Sequence, residues 1–135
     1  MCKNTSLWRS YQTISFKAGQ HPVYHSFAIL TAFNPRSIVL NSLDNQKRNK
    51  ILEKELAMLT ESYFPVSCCA SDGRWEEAGY IVDIRAEQAY LLAKKWQQNA
   101  IYWVEANQLY LVPVLLKGFE KQRLGEFSAF FSIPK

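Results

Sequence analysis

The residues able to do chemistry in this sequence gather around one predicted helix. Asn34 and Ser37 follow the apolar run Phe27–Ala32, and the helix expected over Leu43–Thr60 begins just after them. Within that helix Leu52, Leu56 and Leu59 share one face by their spacing, and the face must meet a sheet. Traced toward the N-terminus, the same stripe passes through Asn45, Arg48 and Asn49, so it is apolar at one end and polar and basic at the other. A guanidinium there keeps its charge and needs acceptors, either a carboxylate such as Glu77 or a bound anion. Convergent hydrogen-bonding side chains beside free helix N–H groups suit an anion or a small polar ligand. The same groups also suit a purely structural role, with Arg48 bonded to Glu77 or to the Asn34 loop and Asn34 in an Asx turn, because buried polar groups need partners in either case.

Other constellations carry less. Glu76 and Glu77 are adjacent in an expected strand, so they point to opposite faces and do not form an acid–base pair. His21 and His25 have no activated nucleophile beside them, and phosphate-loop, dinucleotide and nucleophile-elbow motifs are absent from the sequence. Cys2, Cys68 and Cys69 make no disulfide framework, which points to reduced thiols and a cytoplasmic protein. No metal site and no cofactor are expected from these spacings. The net charge is +4, and the basic run Lys47-Arg48-Asn49-Lys50 is followed at once by Glu53 and Glu55. That reads as a solvated face, so nucleic-acid binding should be weak and lost with salt. No membrane span or leader is expected.

With 48% hydrophobic and 21% charged residues in 135, the chain is long enough for one core and is expected to be a single domain over 1–135. Leu7–Tyr11 reads as a short helical turn and Thr13–Phe16 as a strand. Phe27–Ala32 reads as a buried central strand, ending at the turn signal Asn34-Pro35. Asn41 or Ser42 caps the first main helix. Pro65–Ala70 and Trp75–Val82 read as a hairpin about Ser71–Arg74. Asp83 is the expected cap of a second helix, Arg85–Gln97, with Asn99 as its left-handed terminator. Strands Ala100–Glu105 and Gln108–Leu116 follow, and then a Phe-rich tail, 117–135, that docks. The fold class expected is α+β: two helices on one face of a mainly antiparallel sheet, in ferredoxin-like β-α-β-β-α-β order with extra strands at both ends.

Several ordered segments also resemble a family. Leu7-Trp8 with Tyr11 and Thr13, the run Thr31-Ala32-Phe33-Asn34-Pro35-Arg36-Ser37, the helix positions Asn45, Arg48, Leu52 and Leu56, Trp75 with Glu77, and Gln98-Asn99-Ala100-Ile101 together resemble a bacterial domain family of unknown function, DUF3293, over about 7–114. The resemblance supports a site list of Asn34, Asn45, Arg48, Glu77 and Gln98 but supplies no activity. Three roles stay open. The chain is expected first as a small binding or regulatory module, for a protein or a small polar or anionic ligand. The second role is an enzyme on a small polar or phosphorylated substrate, with Arg48 as anion clamp and Glu77 as acid or base. The third is a weak nucleic-acid binder.

Overall fold

A strand apolar on both faces needs cover on both sides, and Phe27–Leu30 receives it. The computed structural model describes residues 3–70, 73 and 75–134. Cys2 and three residues of the expected turn, Ser71, Asp72 and Arg74, lie outside the described residues. In chain order the elements are α1 (Lys3–Gln12), β1 (Ile14–Lys17), β2 (Ser26–Leu30), a 3-10 turn (Pro35–Ser37), α2 (Ser42–Leu59), β3 (Tyr63–Ala70), β4 (Glu76–Val82) and α3 (Ala86–Lys95). Then come β5 (Ala100–Glu105), β6 (Gln108–Pro113), β7 (Gln122–Glu126), a 3-10 turn (Phe127–Ala129) and β8 (Phe131–Ser132).

The eight strands form one sheet in the order β7-β6-β5-β2-β4-β3-β1-β8. It is mixed, since β1 and β8 pair in parallel while the other neighbours run antiparallel. The outermost strands, β7 and β8, are separated in sequence only by the segment from Phe127 to Phe130. Fully stretched, that link spans at most about 18 Å, whereas the edges of a flat eight-stranded sheet lie about 34 Å apart. The sheet therefore curls into a half-barrel.

This overturns the expectation of two helices on a ferredoxin-like, mainly antiparallel sheet. There are three α-helices among the described residues, and α1 runs ten residues rather than one turn. Its Trp8 is buried, with Leu7 and Tyr11 packed beside it, against the concave face. The tail does more than dock: it supplies β7 and β8, and Phe127 inserts among Phe16, Phe27 and Phe131. A tail that closes a sheet by its last two strands leaves little periodicity to read, because β8 has only two residues.

Two cores result. Phe16, Ile29, Ile81, Tyr102, Leu109 and Leu111 fill the concave side. Ala28, Leu30, Val82 and Trp103 face outward onto Leu52 and Leu56 of α2 and Ala89 and Ala93 of α3, the alternation that a pleated strand imposes. Asn41 caps α2, accepting from the Asp44 N–H at 2.8 Å. Arg85, not Asp83, stands at the N-cap of α3, where its N–H donates to Gln88 Oε1 at 3.0 Å. The left-handed residue after α3 is Gln97 (φ 59°), not Asn99.

The central strand also ends early, at Leu30. There β4 crosses so closely that a Cβ on Gly79 would lie 2.4 Å from the Leu30 carbonyl oxygen. The obstacle is backbone and cannot swing away. Gly79→Ala should therefore lower stability by about 1–3 kcal/mol or more, read as a shift of the denaturation midpoint at unchanged slope.

Candidate functional site

Because β2 stops inside the sheet, the segment Thr31–Asn34 has no strand to bond with, and side chains take that place. The Ala32 N–H donates to Asn49 Oδ1 at 3.3 Å, and the Ala32 carbonyl accepts from Arg48 Nε at 2.7 Å. The Phe33 N–H donates to Thr31 Oγ1 at 3.0 Å, and the Phe33 carbonyl accepts from Gln98 Nε2 at 3.1 Å. The Asn34 N–H donates to Asn45 Oδ1 at 2.9 Å, and Asn45 Nδ2 returns a bond to Asn34 Oδ1 at 2.8 Å. This explains the change of character along α2. Its buried stripe is Asn45, Asn49, Leu52 and Leu56, apolar where it meets the sheet and amide where the sheet has run out.

Arg48 completes the tie. Its Nη2 donates to the Trp96 carbonyl at 2.8 Å, and the guanidinium lies 5.1 Å from the Trp96 ring centroid. Partial burial lowers its pKa. It does not meet Glu77, so the expected ion pair is not formed. A planar fork bound to two backbone carbonyls is occupied with holding the β2–α2 and α3–β5 junctions together.

Glu77 sits on the other side of the segment. Asn34 Nδ2 donates to its Oε2 at 2.9 Å. In register, Glu77 pairs with Cys68, and both project to the concave side, where Tyr102 also lies. These residues line a cleft at the end of the half-barrel, beyond the last residue of β2. Its inner part, about 50 Å³, is bounded by Glu77, Asn34, Gln98, Asn99, Tyr102 and Ile29, among others. It continues past Tyr11, Ser37 and Trp75 into an outer part of about 210 Å³ flanked by Leu7 and Val39. Among the described residues, Glu77 is the one charged side chain lining either part.

The wall opposite is built by strained backbone. Asn34 (φ 47°), Arg36 (φ 54°) and Ser37 (φ 63°) are all left-handed, which costs a non-glycine residue about 1–2 kcal/mol. Bonds from the Arg36 N–H to the Gln97 carbonyl (2.7 Å) and from the Leu40 N–H to Asn34 Oδ1 (3.0 Å) hold the loop. The result is to set the Ser37 hydroxyl against the Tyr11 hydroxyl, with Asn99 Nδ2 donating to Ser37 Oγ at 3.0 Å. Tyr102 donates its hydroxyl to the Tyr11 carbonyl at 2.6 Å, which fixes the end of α1 over the cleft.

The five residues expected from the sequence thus divide. Asn34, Glu77 and Gln98 line the cleft. Asn45 and Arg48 stand behind it as supports. Tyr11, Ser37, Trp75, Asn99 and Tyr102 complete the lining. Of these, Tyr11, Ser37, Trp75 and Asn99 lay within the segments that carry the family resemblance, and strand alternation from Glu77 could have found Cys68, which also lines the cleft. That Tyr11 reaches the cleft becomes visible only when α1 is placed. Cys68 is buried, with its thiol pushed up in pKa by burial first and by Glu77 next. Among the described residues no group of three or more His, Cys, Asp or Glu is placed to hold a metal ion.

Burial raises the pKa of Glu77 to about 7, against a smaller lowering by the Asn34 bond. Since the folded value lies above the unfolded one near 4.5, the folded chain keeps a proton that the unfolded chain has lost. That contribution to stability is complete below the unfolded pKa and disappears as pH rises through about 7. Glu77→Gln mimics the protonated acid. Its stability relative to wild type should grow by about 2–3 kcal/mol between pH 5 and pH 8, measured by denaturant melts of both proteins across that range.

No helix among the described residues is long and apolar enough to cross a membrane. No curated protein and no solved structure matches the chain. The family described as Protein of unknown function (DUF3293) matches residues 30–101. That span runs from the last residue of β2 through α2, the β3–β4 hairpin and α3 to the start of β5, so it contains the amide network, Arg48 and Glu77. The chain belongs to the DUF3293 family.

Proposed function

We propose that this chain is a small-molecule binding module whose ligand enters the cleft between the end of β2 and α1. The observation that carries this reading is the state of Glu77. One of its oxygens is held by Asn34, and the other has no protein partner among the described residues, in a cleft with few other ways to satisfy it. That oxygen is not sealed off but reaches accessible space, where a ligand donor can meet it. A pocket mostly apolar in its walls, with a few convergent polar groups and one perturbed acid, is the general form of a ligand site. The amide network supports the reading by holding Asn34 and Gln98 rigidly, as a preformed site requires.

A second reading is favoured by the titration of Glu77 near neutrality, which is where a general acid or base works best. The phosphorylated substrate once suited to Arg48 loses its support, since that guanidinium is engaged by two carbonyls. Turnover of a bound compound, abolished by Glu77→Gln while binding persists, would select the catalytic role.

Screening the full chain against a library of small polar compounds by amide and indole NMR tests the proposal. Ligands should move the signals of Trp75, Ser37, Asn99 and Gln98 together, saturably, while Asn107 at the far end of β5 stays still. Shifts confined to the helical face, or none at millimolar concentrations, would contradict it.

A further inference from the structure

The cleft offers acceptors, and its amide and Tyr102 donors are already used, which leaves the Trp75 indole N–H and one hydroxyl proton of the Tyr11–Ser37 pair. Asn34 Nδ2 is on Glu77. Asn99 Nδ2 is on Ser37 Oγ, with a longer bond to the Tyr11 hydroxyl. Gln98 Nε2 is on the Phe33 and Trp96 carbonyls, and the Tyr102 hydroxyl is on the Tyr11 carbonyl. The other ends of these groups are unspent: Glu77 Oε1, Gln98 Oε1 and Asn99 Oδ1 carry no protein hydrogen bond among the described residues. No fully buried side-chain oxygen lacks a partner, so these three reach accessible space.

The charge is unbalanced in the same sense. Glu77 is the one charged side chain lining the cleft among the described residues, and Arg48, the cation expected beside it, is bound to carbonyls elsewhere. A carboxylate removed from water without a cation is costly. It is relieved by taking a proton or by meeting a positive charge. Around it stand the aromatic residues Tyr11, Trp75 and Tyr102, which favour cations by their ring quadrupoles.

Resting on the reading of the cleft as a ligand site, we propose that the buried head of the ligand is a small cation rich in N–H donors, an alkylammonium or a guanidinium, received by the carboxylate of Glu77 and the carbonyl oxygens of Gln98 and Asn99 among the three aromatic residues. The size agrees. An inner volume of about 50 Å³ holds roughly three to five water-sized groups, which is a methylammonium or guanidinium head. The remainder of the ligand lies in the outer part against Leu7 and Val39. The groups facing Glu77 do not compete for the charge: the Cys68 thiol and the Tyr102 hydroxyl are both pushed up in pKa by burial and stay neutral, and Asn34 is uncharged. Binding of the cation releases the proton from Glu77.

Calorimetric titration of the full chain with methylguanidinium, propylammonium, the neutral isostere N-methylurea and acetate tests this. The cations should bind at least about tenfold more tightly than the urea, and acetate should not bind. Their affinity should rise about tenfold between pH 6 and pH 8, as Glu77 ionises. Glu77→Gln, which keeps the Asn34 bond, should remove both the preference and the pH dependence. Short peptides carrying one arginine or lysine form a further arm. Tighter binding of the peptides assigns the head to a protein side chain, and tighter binding of the free cations assigns it to a small molecule. Equal or better binding of N-methylurea overturns the cationic head and leaves the cleft a ligand site. Failure of every probe to bind overturns the cation and the ligand reading together.

Discussion

The structure depends on one interruption: a central strand that ends inside its own sheet. β2 lies between β5 and β4 and stops at Leu30, so the next backbone groups emerge in a region partly screened from water. Unpaired backbone groups there would cost about 1–3 kcal/mol each. Asn45, Arg48 and Asn49 from one helix, and Gln98 from the other junction, meet them instead. The four buried polar residues among those described, Asn45, Asn49, Gln98 and Asn99, are all amides and all at this place. An amide both donates and accepts, which a segment presenting alternate N–H and carbonyl groups requires.

The same interruption opens the cleft. With no strand between β4 and β5 beyond Leu30, Glu77 on β4 and Ala100 on β5 flank a gap, and α1 with the Pro35–Ser37 turn closes only part of it. The curl of the sheet turns this gap into the end of a half-barrel, with an apolar floor of Ile29 and Tyr102. Support and cleft wall are therefore two faces of one network. Arg48 and Asn45 face the backbone, while Asn34 passes the order on to Glu77.

Much of this was legible in the sequence. Helical spacing found α2 with Leu52 and Leu56 in its core, and the mixed stripe through Asn45, Arg48 and Asn49 is the one that holds the segment after β2. Arg48 was expected to bond Glu77 or the Asn34 loop, and it bonds the loop, through the Ala32 carbonyl, and not Glu77. Charge complementarity pointed to Glu77, but backbone carbonyls left by a truncated strand leave no signature in side-chain types. The half-barrel was hidden because β7 and β8 are short and lack a clear alternation, and β8 joins β1 at the other end of the chain. Tyr11 and Ser37 were read as parts of separate segments, since only the packing of α1 across the cleft brings their hydroxyls together.

The central claim is that Glu77 is a partly buried carboxyl left open toward a cleft and balanced by no cation among the described residues. The direct measurement is the pH titration of its side-chain carboxyl carbon by NMR in the full chain, assigned by comparison with Glu77→Gln. The account predicts a midpoint of about 7, set by burial. A midpoint at or below the ordinary glutamate value of about 4.3 would contradict it, for it would show a carboxylate already solvated or already paired.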